Sequence, residues 1–129
     1  MAEKDVIRTD RAPGPFQGAP YNQAIRVWDL VFVAGQLGIS LETGALAGAG
    51  VAEQTEQIMA NLDAILDAAG SGLDKLVKTT VFLMDLGDFA AMNDVYATHV
   101  GHRPPARSTV QISGLPSGAL VEIEAIAHV

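Results

Sequence analysis

Two segments near the end of the chain concentrate the side chains that could do chemistry. In residues 107–112, Arg107, Thr109 and Gln111 alternate with Ser108, Val110 and Ile112. In residues 120–129, Glu122, Glu124, Ile126 and His128 alternate with Val121, Ile123, Ala125 and Ala127. A period of two is that of a strand with one buried face. The pattern predicts one apolar sheet face packed under helices and an opposite face carrying Arg107, Thr109, Gln111, Glu122 and Glu124. A guanidinium can pair both oxygens of a carboxylate through its planar fork. A glutamate can accept a proton or hold a water. Two readings of that face stay open. It is a solvated surface with cross-strand ion pairs of little energetic weight, or it is a polar cleft, at a subunit interface, with one arginine as an anion receptor.

Elsewhere the chemistry is sparse. Asn93 is either a functional amide or a solvated residue. His99 and His102 lack partners at metal-ligand spacing and read as surface residues near a helix end. His128 reads as exposed or at an interface. Residues 44–50 are rich in glycine but contain no phosphate-loop lysine, so they read as a connection. Trp28 and Phe32 read as core or interface residues rather than ligand stackers. No Ser-His-Asp order and no nucleophile elbow occur.

These residues need elements to hold them. The first twenty are loop-like, dense in Pro and Gly, with Pro15, Phe16 and Tyr21 able to lie against the body. Residues 24–28 and 30–37 predict a hairpin. Gly35 inside the second strand marks a bulge or a close approach to the backbone. The period turns helical over residues 51–69, where Val51, Thr55, Ile58, Leu62, Ile65, Leu66 and Ala69 form one stripe. Glu53 and Glu56 sit in the first turn, where the helix dipole favours acids, and Gly70 suits the left-handed end. Residues 76–84 read as a β-branched strand. Asp88 is expected to cap a second helix running to about Val100, with Phe89, Met92, Tyr96 and Val100 on its stripe and Gly101 ending it. The order is β-β-α-β-α-β-β, with a further strand around Val6. That predicts an α+β fold, one mixed six-stranded sheet packed on one face by two helices.

The chain has 129 residues, enough for a single domain over 1–129 that buries roughly two-thirds of its unfolded surface. With 49% hydrophobic residues it is not a disordered chain. A net charge of −7, from 15 acidic and 8 basic residues, argues against a nucleic-acid partner. Having no cysteine excludes disulfides, cysteine-ligated zinc and thiol catalysis. No apolar run approaches the ~20 residues of a membrane span, and residues 1–11 lack the apolar core of a signal peptide. The expectation is a cytoplasmic acidic domain without membrane contact.

Several segments, in order, carry a family pattern: Pro20-Tyr21-Asn22-Gln23-Ala24-Ile25, Val33-Ala34-Gly35-Gln36, Val77-Lys78-Thr79-Thr80-Val81-Phe82-Leu83 and Asp88-Phe89-Ala90-Ala91-Met92-Asn93. The most specific are Pro105-Ala106-Arg107-Ser108 and Val121-Glu122-Ile123-Glu124-Ala125-Ile126-Ala127. Over about Pro15 to Val129 the chain resembles the RidA/YjgF family of reactive-intermediate deaminases. The resemblance implies a fold like that of the trimeric bacterial chorismate mutases, a homotrimer, and clefts between subunits. It implies hydrolysis of 2-iminopropanoate, 2-iminobutanoate and their enamines, such as 2-aminoacrylate and 2-aminocrotonate, to 2-keto acids and ammonia, with no metal or organic cofactor. It assigns substrate-carboxylate binding to Arg107, water positioning or activation to Glu122, a backbone approach to the imine nitrogen at Gly35, and pocket lining to Tyr21 and Asn93. Thr109 stands where many members carry cysteine, its backbone N–H still able to donate. The loop of residues 101–104 is short for the family, and residues 16–20 depart from its usual pattern. The alternatives are a small-carboxylate-binding regulatory or chaperone-like module, and an endoribonuclease, which the net charge disfavours.

Overall fold

The computed structural model describes residues 2–129. Its strands are β1 (Lys4–Ile7), β2 (Ala24–Val27), β3 (Leu30–Leu37), β4 (Leu76–Leu83), β5 (Ala106–Gln111) and β6 (Val121–His128). The helices are α1 (Val51–Ala68) and α2 (Phe89–Val100). The strands form one mixed sheet in the order β1-β2-β3-β6-β4-β5. β4 and β5 are parallel, and the remaining pairs are antiparallel. A parallel pair needs a crossover connection, which α2 provides between β4 and β5. The fold is α+β, as the period changes along the sequence predict.

Helix α1 forms for the expected reasons. Its stripe is buried, with Ile58, Leu62, Ile65 and Leu66 fully enclosed against the sheet. Each such side chain contributes about 1.5–3 kcal/mol of burial. Glu53 reaches back to accept the N–H of Gly50 at 2.7 Å, so the first-turn acid is a capping group as well as a dipole partner. Beyond the helix, Gly70 adopts φ +80°, where a side chain would be strained. Gln54, buried, clamps the helix start to the last turn of the chain. Its amide donates to the Gly48 carbonyl at 3.0 Å and accepts from the Leu120 N–H at 2.8 Å.

One sheet face lies under both helices. It carries Val31, Val33, Thr79, Val81, Leu83, Val121, Ile123, Ala125 and Ala127, all buried. The opposite face is open and carries Phe32, Glu124 and Val110. Here the structure corrects the expectation that Arg107, Thr109 and Gln111 share a face with Glu122 and Glu124. In the β4–β5 ladder Arg107 stands opposite Thr79 and Thr109 opposite Val81. In the β4–β6 ladder Glu122 stands opposite Phe82 and Glu124 opposite Thr80. Paired residues point to the same side, and neighbours along β4 to opposite sides. Arg107 and Thr109 are therefore on the helix side, and Glu122 and Glu124 on the open side. Each strand alternates as expected, but β5 is turned over. Its valine, Val110, faces out and is 42% exposed.

Three smaller expectations also change. Asp88 precedes α2 but makes no side-chain capping bond. The carboxylate of Asp85 instead accepts from the Gly87 N–H at 2.7 Å, shaping the turn before the helix. Phe89 begins the α2 stripe but stays exposed, because β5, the edge strand, leaves that end uncovered. Trp28 is 74% exposed at the β2–β3 turn with φ 52°, and Phe32 is exposed on the open face, so neither is core in this chain.

Candidate functional site

The predicted site residues gather in two groups. The first lies where β3 loses register with β6 between Val33 and Gln36. Gly35 sits in that irregularity, and the Glu122 side chain folds over it. A Cβ at residue 35 would lie 2.8 Å from Glu122 Cδ and 3.1 Å from Cγ, closer still to Oε1. The glycine is thus both a bulge and a close approach. Around the pair opens a cleft of about 400 Å³ lined by Phe16, Tyr21, Gly35, Leu37, Pro116 and Glu122. A second hollow of about 240 Å³ shares Phe16, Tyr21 and Gly35 and extends toward Gln23 and Ile39.

Two turns and one buried amide build the rim. Residues Phe16–Gly18 and Pro116–Gly118 are single 3-10 turns. Gln17 (φ 53°) and Ser117 (φ 61°) take the left-handed conformation within them. The Tyr21 hydroxyl accepts the Phe16 N–H at 2.6 Å and holds the first turn closed. Behind it, the buried Gln23 amide donates to the carbonyls of Thr9 (3.0 Å), Ala12 (3.2 Å) and Pro13 (2.9 Å) and accepts from the Thr9 N–H (2.7 Å). One side chain therefore pins the loop that the breaker-rich sequence leaves without ladder bonds.

Glu122 is half-buried, and that burial pushes its carboxyl pKa up, with the negative charge of Glu124 two residues along the same face adding to the rise. A carboxylate moved toward neutrality, beside an open cleft, is suited to taking a proton from water.

The second group lies at the β5 edge on the helix side. The Arg107 guanidinium stands 4.9 Å from the ring centre of Tyr96 and 5.4 Å from that of Phe89. Two ion pairs form among the described residues, Arg11–Asp67 and His99–Glu56, and neither involves Arg107. Its fork is supported on aromatic faces while no carboxylate of the described chain neutralises it. Asn93 lies between Phe89 and Tyr96 on the same face of α2. Its Oδ1 is buried without a partner, an acceptor waiting for a donor. Thr109 follows Arg107 by two residues on the same face of β5.

The structure thus brings Tyr21, Gly35 and Glu122 together, and sets Arg107, Asn93 and Thr109 along a second surface. Within one chain the two groups are on opposite faces of the sheet. Sequence reasoning missed Phe16 and Pro116 as cleft walls. The signal was present in two similar turns, Phe16-Gln17-Gly18-Ala19 and Pro116-Ser117-Gly118-Ala119. It also assigned Phe89 and Tyr96 only to a helix stripe. His99 is partly buried against Glu56 rather than on the surface. Among the described residues no cluster of three or more His, Asp or Glu could hold a metal, and no helix is long and apolar enough to cross a membrane.

Comparison with known proteins gives a consistent picture. The model of the family described as Endoribonuclease L-PSP matches residues 11–129. A RutC family protein of Pyrococcus abyssi is 48% identical over 97% of this chain and 97% of its own length. A mouse protein named 2-iminobutanoate/2-iminopropanoate deaminase is 42% identical over 96% of this chain and 90% of its own. The crystal structure of RidA from the Antarctic bacterium Psychrobacter superposes with a TM-score of 0.91 at 42% identity, covering 97% of this chain and 99% of that one.

Proposed function

The chain belongs to the Endoribonuclease L-PSP family, also called RidA/YjgF, and from that premise we propose that it is a hydrolase of 2-imino acids, releasing 2-keto acids and ammonia. The observation that carries this is Glu122. It is a half-buried carboxylate with a raised pKa, folded against a bare stretch of backbone at Gly35 inside a cleft. Relatives from mouse and human bear the deaminase name at 42% and 41% identity.

The chemistry asks little of the protein. The imine carbon is already electrophilic, so catalysis reduces to orienting it, neutralising its carboxylate and placing a water. Arg107 takes the substrate carboxylate through its fork. Glu122 holds the water and accepts its proton as the oxygen attacks the imine carbon. The same proton then passes to the nitrogen, giving a carbinolamine. Its hydroxyl proton follows to the nitrogen by way of Glu122, and the C–N bond breaks as the carbonyl forms and ammonia leaves. Tyr21 and Gly35 line the space for the reacting centre, and Asn93 and Thr109 offer polar groups near the carboxylate. Substrates of the size of 2-iminopropanoate and 2-iminobutanoate fit the cleft volume.

Because Arg107 and Glu122 occupy opposite faces of one sheet, a complete site in this reading takes Arg107 from one subunit and Glu122 from another. That supports a closed homo-oligomer, a trimer in the family expectation. The exposed open face, with Phe32 and Val110, is the kind of surface such assembly covers.

The test is a coupled assay in which a serine or threonine dehydratase generates the imine and keto-acid formation is followed with and without the protein. Acceleration that disappears in Arg107→Ala is the expected result. Saturable keto-acid binding without any acceleration would replace catalysis with a carboxylate-binding role.

A further inference from the structure

We propose that Tyr96, tethered by Thr79, is the positioning residue for the Arg107 guanidinium; this rests on the deaminase reading, in which Arg107 captures the substrate carboxylate. Three contacts close a loop. Across the β4–β5 ladder, Thr79 stands directly opposite Arg107. The Thr79 hydroxyl shares a 2.6 Å hydrogen bond with the Tyr96 hydroxyl, and both residues are buried. The Tyr96 ring lies 4.9 Å below the guanidinium carbon, with Phe89 as the outer wall at 5.4 Å.

Each link does a different job. The ladder sets the root of the arginine. The hydroxyl bond stops the tyrosine ring from moving along α2. The ring face then attracts the cation and takes one side of its plane. Stacking uses the face of the guanidinium and leaves its N–H edges free, which are the edges a carboxylate pairs with. Burial raises the Tyr96 pKa, so the phenol stays neutral and acts through its ring rather than as a competing anion. An arginine on an edge strand would otherwise sample many rotamers, and a flexible fork captures a small anion less well than an oriented one.

The experiment compares wild type, Tyr96→Phe, Tyr96→Leu and Thr79→Val, each shown to be folded by circular dichroism. Imine hydrolysis is measured for kcat and KM separately, with the dissociation constant of 2-oxobutanoate and the ring-current shift of the Arg107 Nε–H proton in NMR spectra. Loss of a cation–π platform is expected to raise KM and the keto-acid dissociation constant about tenfold in Tyr96→Leu, with kcat changing much less. Tyr96→Phe and Thr79→Val, which keep the ring but lose its tether, should give roughly a third of that effect on a logarithmic scale. The upfield Nε–H shift should shrink only in Tyr96→Leu, where the Phe89 ring alone remains beside the guanidinium. In an Arg107→Ala background, where binding rather than turnover is read, Tyr96→Leu should add nothing to the dissociation constant of 2-oxobutanoate. A Tyr96→Leu protein with wild-type KM and an unchanged Nε–H shift overturns the positioning role while leaving deamination standing. An equal effect in the Arg107→Ala background overturns it too. A wild-type protein that hydrolyses no imine overturns the deaminase reading, and the positioning role with it.

Discussion

The Glu122 carboxylate occupies the space that a side chain at Gly35 would need, its Cδ 2.8 Å from where that Cβ would stand. One residue's chemistry and another's lack of a side chain are therefore a single feature. Gly35→Ala should push Glu122 out of place. A misplacement on the order of 1 Å costs about 10²-fold in rate. The expected result is that loss in kcat with the fold retained by circular dichroism. An alanine variant at full rate would show that Glu122 has room to spare.

The raised pKa of Glu122 gives a pH dependence with a definite sign. Activity needs the ionised form, so the rate should fall on the acid side with a midpoint above the ordinary glutamate range. Glu122→Gln should lose about 10²–10⁴-fold in kcat.

Stability should move the opposite way. A carboxyl whose folded pKa is raised favours the folded state below its unfolded pKa, and that contribution is lost as pH rises through the folded value. At pH 7 the wild type therefore carries a burial penalty that Glu122→Gln lacks. The variant should melt at or above the wild-type temperature at pH 7, and its advantage should disappear near pH 4. Melting curves at the two pH values decide this.

If Arg107 and Glu122 meet across a subunit interface, two inactive variants should rescue one another. Arg107→Ala and Glu122→Gln, mixed in equal amounts and reassembled, should recover about one quarter of wild-type sites, since each site draws its two residues from different subunits at random. No recovery from a mixture shown by mass spectrometry to contain mixed oligomers would place both residues of a site in one chain.

Gln23 offers a test of the loop that forms the cleft wall. Gln23→Leu leaves the Thr9 N–H and the Ala12 and Pro13 carbonyls without their partner. Stranding buried polar groups costs about 1–3 kcal/mol. Denaturant unfolding should show that loss, and KM should rise more than kcat falls, because the turn carrying Phe16 and Tyr21 loses its anchor while Glu122 stays in place.

Local order was legible in the chain. The helical stripe from Val51 to Ala69, the break at Gly70, the glycine interruption at Gly35 and the alternation in β6 are short-range patterns. Each follows from the geometry of one helix or one strand, so they appear in the sequence and again in the structure. The identities of the polar residues were equally plain, since Arg107, Glu122, Tyr21 and Asn93 sit in segments whose types and order carry a family pattern. Turn chemistry was half legible: the glycines at 18 and 118 announced bends, but not that both bends would line one cleft.

What the sequence could not decide was phase. Alternation says that Arg107, Thr109 and Gln111 share a side, and that Glu122 and Glu124 share a side. Whether the two sides coincide depends on which residue of β4 each strand pairs with. That register belongs to contacts far apart in the chain, and a shift of one residue turns a whole strand over. Tertiary pairing set Arg107 opposite Thr79 and Glu122 opposite Phe82. It thereby separated two residues that the sequence placed together, and put Arg107 on the rings of Tyr96 and Phe89, because a strand carries its own period but not its alignment with its neighbours.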